Sequence, residues 1–126
     1  MSAFLNKAKM TVHTARLILD AGDTNSAVNR AYYAMFDAAR AALGTVDENL
    51  LKTKTHATII RRFGKHIVEQ GGFDRSLGRL FAQTEDVRVT ADYEDERVNE
   101  SAARRAVEGA ERFVAAVERF IQQAKP

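Results

Sequence analysis

The sequence contains no cysteine, which removes disulfides, thiolate metal sites and cysteine nucleophiles together. The same absence agrees with a reducing compartment. Proline occurs once, at the last position, so chain reversals must come from glycines and short polar clusters. No apolar run approaches the roughly 20 residues needed to cross a bilayer. The first ten residues are polar and periodic and lack the apolar centre of a signal peptide. The cytoplasm is therefore the expected compartment, with no membrane involvement. Several site patterns are missing too. There is no P-loop, dinucleotide fingerprint, His-Glu-x-x-His or calcium loop. The three histidines are scattered, so neither a metal nor a cofactor is expected.

What is present is a globular composition, 45% apolar and 29% charged, in a length that fits one domain, residues 1–126. Net charge is only +2, but it is unevenly placed. Lys52 to Lys65 holds five basic residues and no acidic one, whereas Glu85 to Glu100 holds seven acidic residues against Arg88 and Arg97. Such polarity can steer a partner, or mark two solvated faces of opposite sign.

The apolar pattern is helical throughout. Leu5, Ala8, Val12, Ala15 and Leu19 form a core-facing stripe over a first helix, Ala3 to Ala21. Gly22 and Asp23 read as a helix stop and the next N-cap, so the first two helices should pack antiparallel. The second helix, Thr24 to Leu43, carries two adjacent stripes. One is Val28, Tyr32, Met35, Ala39 and Leu43, and the other is Asn29, Tyr33, Phe36 and Arg40. Gly44 reads as its end. A third helix runs from Thr55 to Gln70, with Ile59, Phe63 and Ile67 inward. After Gly71-Gly72, Asp74 can cap a fourth that ends near Ala91. A charged linker, Asp92 to Asn99, precedes a last helix from Glu100 to Gln123. Together these predict an all-α protein, an antiparallel bundle of four to five helices. The broad stripes of the second and last helices also point to a homodimer through a helical face.

Two constellations could carry chemistry: Asn29, Tyr32 and Tyr33 on the second helix, and Arg88, Asp92 and Tyr93 where the fourth runs out. Arg88 and Asp92 are four apart and can pair on one face. A half-buried arginine beside tyrosines and an asparagine suits an anion or phosphate, which guanidinium grips with two parallel bonds. The competing reading is a buried polar network that locks two helices in register. His13 reads as a surface residue of the first helix. His56 either caps the third helix or joins the Arg88 cluster.

Asn29-Arg30-Ala31-Tyr32-Tyr33-Ala34-Met35-Phe36 resembles the second-helix motif of a bacterial and archaeal branch of the HEPN family. Lys54-Thr55-His56 resembles the motif that opens its third helix. Arg88, followed after two residues by Ala91-Asp92-Tyr93, resembles the family's Arg-x-x-Ala-Asp-Tyr. The match is ordered along nearly the whole chain. It implies a bundle of about five helices, like nucleotidyltransferase substrate-binding subunits, and commonly dimeric. It also implies either a metal-independent ribonuclease or a nucleotide-binding partner of a minimal nucleotidyltransferase in a toxin–antitoxin-like pair. RNA or a nucleotide is then the implied ligand, and Asn29, Tyr33, Arg88, Asp92 and Tyr93 the implied ligand-binding set. Arg88, Tyr93 and His56 are the catalytic candidates.

The family's ribonucleases place a histidine four to six residues after the arginine. Here Tyr93 stands five beyond Arg88. A phenol near pKa 10 is ionised to about one part in a thousand at pH 7, which makes a poor general base. Arg61 and His66 have the ribonuclease spacing, but on the third helix, and about one such pair is expected by chance in this composition.

Overall fold

The structure, a computed structural model, describes residues 2–94 and 97–124, the side chain of Glu94 excepted. Among them every regular element is helical: α1 (Ala3–Asp20), α2 (Thr24–Val46), α3 (His56–Phe63), α4 (Arg75–Glu94) and α5 (Glu100–Ala124). A 3-10 turn, Glu48–Leu51, lies between α2 and α3, and a π-helical turn, Gly64–Val68, extends α3.

Local chemistry sets these boundaries. Ser2 caps α1 by accepting a bond from the Phe4 amide. Gly22, at φ +91°, ends the same helix in the left-handed conformation that glycine adopts freely. The Asp23 amide bonds back to Ile18 and the Gly22 amide to Leu19, closing a Schellman turn. Asp23 at once caps α2 through the Ser26 amide, so α1 and α2 fold back on each other. The segment before α5 is tied to this turn. The Val98 amide donates to Asn25 Oδ1 at 2.7 Å and Arg97 donates to the Gly22 carbonyl at 3.1 Å. Ion pairs Lys9–Glu118 and Arg16–Glu111 align α1 with α5 in opposite directions.

α2 is the central element. Its first stripe, Val28, Tyr32, Met35, Ala39 and Leu43, is wholly buried, and alanines at 27, 31, 34, 38, 41 and 42 let neighbouring helices come close. Phe63, Phe81 and Phe113 pack together with ring centroids 5.2 to 6.0 Å apart, joining α3, α4 and α5. Each such pair adds about 0.5–1.5 kcal/mol beyond burial. The broad stripe of α5 is consumed inside the bundle: Val107, Val114 and Ile121 are all buried there.

Three sequence-based boundaries differ from those observed. Gly44 does not end α2. The helix continues to Val46, with Thr45 Oγ1 bonded to the Ala42 carbonyl, and Asp47 stops it by capping the next turn. The third helix is not uniform, because the Glu69 amide reaches Gly64 and five residues are wound in the wider π form, which returns Ile67 to the core. α4 runs three residues past Ala91, and that added turn holds Asp92 on the helix, 3.7 Å from Arg88.

Candidate functional site

Arg88 projects from the C-terminal half of α4 towards α2. Its side chain keeps only 15% of its exposure. The guanidinium lies 4.8 Å from the ring centre of Tyr32 and 5.5 Å from that of Tyr33, within cation–π range of both. Tyr32 and Tyr33 are neighbours in sequence, so one faces the core and the other its edge, and Arg88 spans the two. Glu85, one turn before Arg88, accepts bonds from Nε at 3.0 Å and Nη2 at 2.6 Å on a single oxygen. Its other oxygen stands 3.5 Å from Nδ1 of His56. The His56 ring, at the first position of α3, packs 4.5 Å from Phe36 and 5.6–5.7 Å from the two tyrosines. Thr55, not His56, caps α3. That leaves the imidazole to reach Glu85.

The electrostatics follow from this crowding. Burial pulls the Arg88 pKa down, but the Glu85 hydrogen bonds and charge outweigh it, and the net direction is upward. The Tyr32 phenol is pushed strongly upward, first by burial and then by the Glu85 carboxylate. Its hydroxyl is fully buried, near Glu85, yet no partner among the described residues lies in hydrogen-bonding geometry.

A second polar feature adjoins the first across Tyr33. A cleft of about 360 Å3 between α1 and α2 is lined by Tyr33, Asn29, Lys7, Arg30, Asp37 and Arg40. Asp37 is buried and pairs with Arg40 at 2.5 Å and with Lys7 at 3.9 Å. The Arg40 guanidinium is sandwiched 4.1 Å from the Phe4 ring and 4.8 Å from the Phe36 ring.

Residues 1–120 match the family profile of the HEPN domain. The chain belongs to the HEPN family. It is 29% identical to a Methanocaldococcus jannaschii protein named as a suspected toxin, over 98% of this chain and 90% of that one. It is 30% identical to a UPF0332 protein of Thermotoga maritima over 94% of this chain and 89% of that one. A UPF0332 protein of Gloeobacter violaceus is 32% identical over 71% of this chain and 68% of its own length.

In this HEPN protein the residues singled out from sequence fall in three places. Arg88, Asp92, Tyr33 and His56 converge, although Asp92 sits at the rim with a side chain 65% exposed. Asn29 lies in the neighbouring cleft and meets the Arg88 cluster only through Tyr33. Tyr93 is 89% exposed and has no hydrogen bond, ion pair or ring contact among the described residues. Its place on the helix explains this, because it follows Arg88 by five residues and so leaves the face that three- and four-residue spacings share. Arg61 and His66 fall on the α3 side of the molecule, in the helix and the π turn respectively.

Two residues went unnoticed in the sequence. Glu85 organises the cluster, and the three-residue spacing to Arg88 was a legible signal. Its link to His56 was not, since 29 residues separate them. Asp37 likewise stands three before Arg40.

Chemically, the Nε edge of Arg88 is occupied by Glu85, while Nη1 faces only the exposed Asp92. An anion can compete for that edge, because a solvated carboxylate at 3.7 Å contributes little and moves easily. His56 Nδ1 stands 3.5 Å from the Glu85 carboxylate, and its other ring nitrogen has no partner among the described residues, which suits a proton carrier. The described residues contain no group of three or more His, Asp or Glu that could hold a metal ion. No helix among them is long and apolar enough to cross a membrane.

Proposed function

We propose that this protein is the toxin-like component of a two-part system, working as a homodimer and binding the phosphate of a nucleotide or RNA at Arg88. A minimal nucleotidyltransferase is its partner. The observation that supports this best is the half-used guanidinium. Arg88 is fixed by Glu85 and by two tyrosine faces, and its remaining edge faces only an exposed carboxylate, Asp92, at 3.7 Å. A rigid, charged fork with one free edge is what a phosphate needs. The resemblance to a HEPN branch that pairs with nucleotidyltransferases, and the name of the M. jannaschii relative, supply the toxin and partner parts of the reading. Tyr33 offers a hydroxyl or stacking face beside the bound phosphate, and Asn29 an amide in the adjoining cleft.

A second reading is favoured by His56. A histidine beside a carboxylate and next to an arginine is a workable pair for metal-free phosphodiester cleavage, with His56 carrying the proton and Arg88 stabilising the transition-state charge. Expressing the protein alone, with Arg88→Ala and His56→Ala forms, and scoring growth arrest and RNA cleavage in chelator separates the two. Arrest that needs Arg88 but not His56, without cleavage, supports the binding module. Cleavage that needs both supports the nuclease. Growth unaffected by the parent protein contradicts the toxin reading.

A further inference from the structure

A wide cleft of about 990 Å3 opens between the first half of α4 and the α3–π segment, and Arg88 does not line it. Arg61 and Lys65, four residues apart, stand on one wall, and Arg75 and Arg79, also four apart, on the other. All four are exposed, and Glu69 is the single carboxylate among the lining residues. None of the four has an ion pair, side-chain hydrogen bond or cation–π contact among the described residues, whereas Arg16, Arg40, Arg88 and Arg104 all have an acidic partner. Like charges gathered around one concave surface add up to a positive field that nothing in the chain neutralises.

The floor of the cleft is aliphatic. Ile60 and Val68 are half-buried there, and Val68 closes the base against Gly78, where an added Cβ would lie 2.9 Å from a Val68 methyl. The π turn builds this floor. Its wider winding sends Ile67 into the core and leaves Lys65 and Val68 on the cleft. Phe63 also lines the cleft but is almost wholly buried, so no aromatic face is open there for a nucleic-acid base to stack on. Gly64 lines it in an ordinary helical conformation, at φ −58°, and a side chain added there would meet open space.

We infer that this cleft docks an acidic amphipathic helix of a partner protein. The unpaired cations select an occupant by charge, and the aliphatic floor selects one with an apolar stripe. A helix with Leu or Ile along one face and Glu or Asp on both flanks meets both demands at once. Its stripe lies on Ile60 and Val68, and each acidic flank faces one cationic wall. A nucleic-acid strand would use the cations but would leave the aliphatic floor without an apolar partner and find no ring to stack on. A small anion would leave most of the cleft empty. This docking is independent of what Arg88 binds, and it holds whether or not the partner is the nucleotidyltransferase of the proposed function.

Fluorescence anisotropy with the full chain tests it. The probe is a labelled, designed peptide of about 16 residues, roughly 24 Å long as a helix, with leucines on one face and glutamates on its flanks. Beside it run the same composition with the leucines dispersed around the helix, a version with lysines for glutamates, and single-stranded RNA of about 12 nucleotides. The acidic amphipathic peptide should bind most tightly, and more weakly as salt rises, because exposed charges are screened. Arg61→Glu with Arg79→Glu should weaken it roughly 10-fold or more. Gly64→Tyr, which fills the cleft from a helical position, should weaken it as much. Circular dichroism should show both variants folded with a Tm unchanged or raised, because neither removes a native contact. A dispersed peptide that binds as tightly as the amphipathic one overturns the helix assignment. RNA that binds more tightly than the peptide, and is lost in the same two variants, puts a nucleic acid in place of the protein partner. An acidic amphipathic peptide that does not bind below about 100 μM, or that both variants bind as the parent does, overturns the docking site.

Discussion

Removing the Glu85 side chain strips Arg88 of its principal partner, and the geometry sets how much this costs. Two charge-assisted hydrogen bonds disappear, in a class worth about 1.5–3 kcal/mol each before compensation. Losing one member of a buried ion pair typically costs about 3–5 kcal/mol, because the other is left charged and unpaired. Here the loss is softened. Arg88 retains some exposure, Asp92 can swing in from 3.7 Å, and the tyrosine faces remain. Glu85→Ala should therefore lower stability by about 2–4 kcal/mol, or the Tm by roughly 8–16 °C for a chain of this size. Replacing both partners with apolar residues of similar volume, Glu85→Leu with Arg88→Met, should return stability to within about 1 kcal/mol of the parent. Thermal and urea unfolding followed by circular dichroism reads both. A Glu85→Ala loss below about 1 kcal/mol, or a double variant no more stable than Glu85→Ala, would refute the view that Arg88 is a buried charge held by Glu85.

Other perturbations have definite signs. Tyr32→Phe removes a buried hydroxyl without a hydrogen-bond partner, so stability at neutral pH should stay level or rise by up to about 1 kcal/mol. A loss above that would mean the hydroxyl is bonded to Glu85. The Tyr32 pKa is raised by burial, so the folded state keeps this proton where the unfolded chain releases it. Stability should fall as pH climbs above about 10, and Tyr32→Phe should lessen that alkaline slope in pH-dependent unfolding. Gly109 faces the end of the Leu80 side chain where α4 crosses α5, so a methyl group there forces Leu80 to shift. Gly109→Ala should cost about 1–3 kcal/mol of packing, only partly offset by helix propensity, as a lowered urea midpoint would show. Gly22→Ala forces a side chain to φ +91° and should cost about 1–2 kcal/mol, read as a lowered Tm.

The bundle was legible because helical periodicity depends on local spacing. The stripe from Val28 to Leu43 was read and is buried in full. Helix ends were less legible where tertiary contacts overrode a local signal. Gly44 is a fair stop in isolation, but hydrogen bonds at Thr45 and Asp47 carry α2 past it. The site was half legible. Arg88 and Asp92 share a face by spacing alone, whereas the sequence leaves His56 either as a cap of the third helix or as a member of their cluster. Glu85 joins α3 to α4 through a contact that no periodicity encodes. Tyr93 stood beside Asp92 in the motif, yet a single helical step carries it about 100° around the axis and out to solvent. Much of the apolar width of α2 and α5 is buried within the chain's own bundle, including Val28, Leu43, Val107, Val114 and Ile121.

The central claim is that Arg88 works on a ligand and is not only a lock between helices. The Glu85→Leu, Arg88→Met pair separates the two roles, because it keeps the packing and removes the charge. Growth after induction of the parent and of this double variant, at matched protein levels and with folding checked by Tm, is the most direct measurement. A double variant as stable as the parent that no longer arrests growth is the predicted result. One that arrests growth as fully as the parent would contradict it and leave the arginine a purely structural part of the bundle.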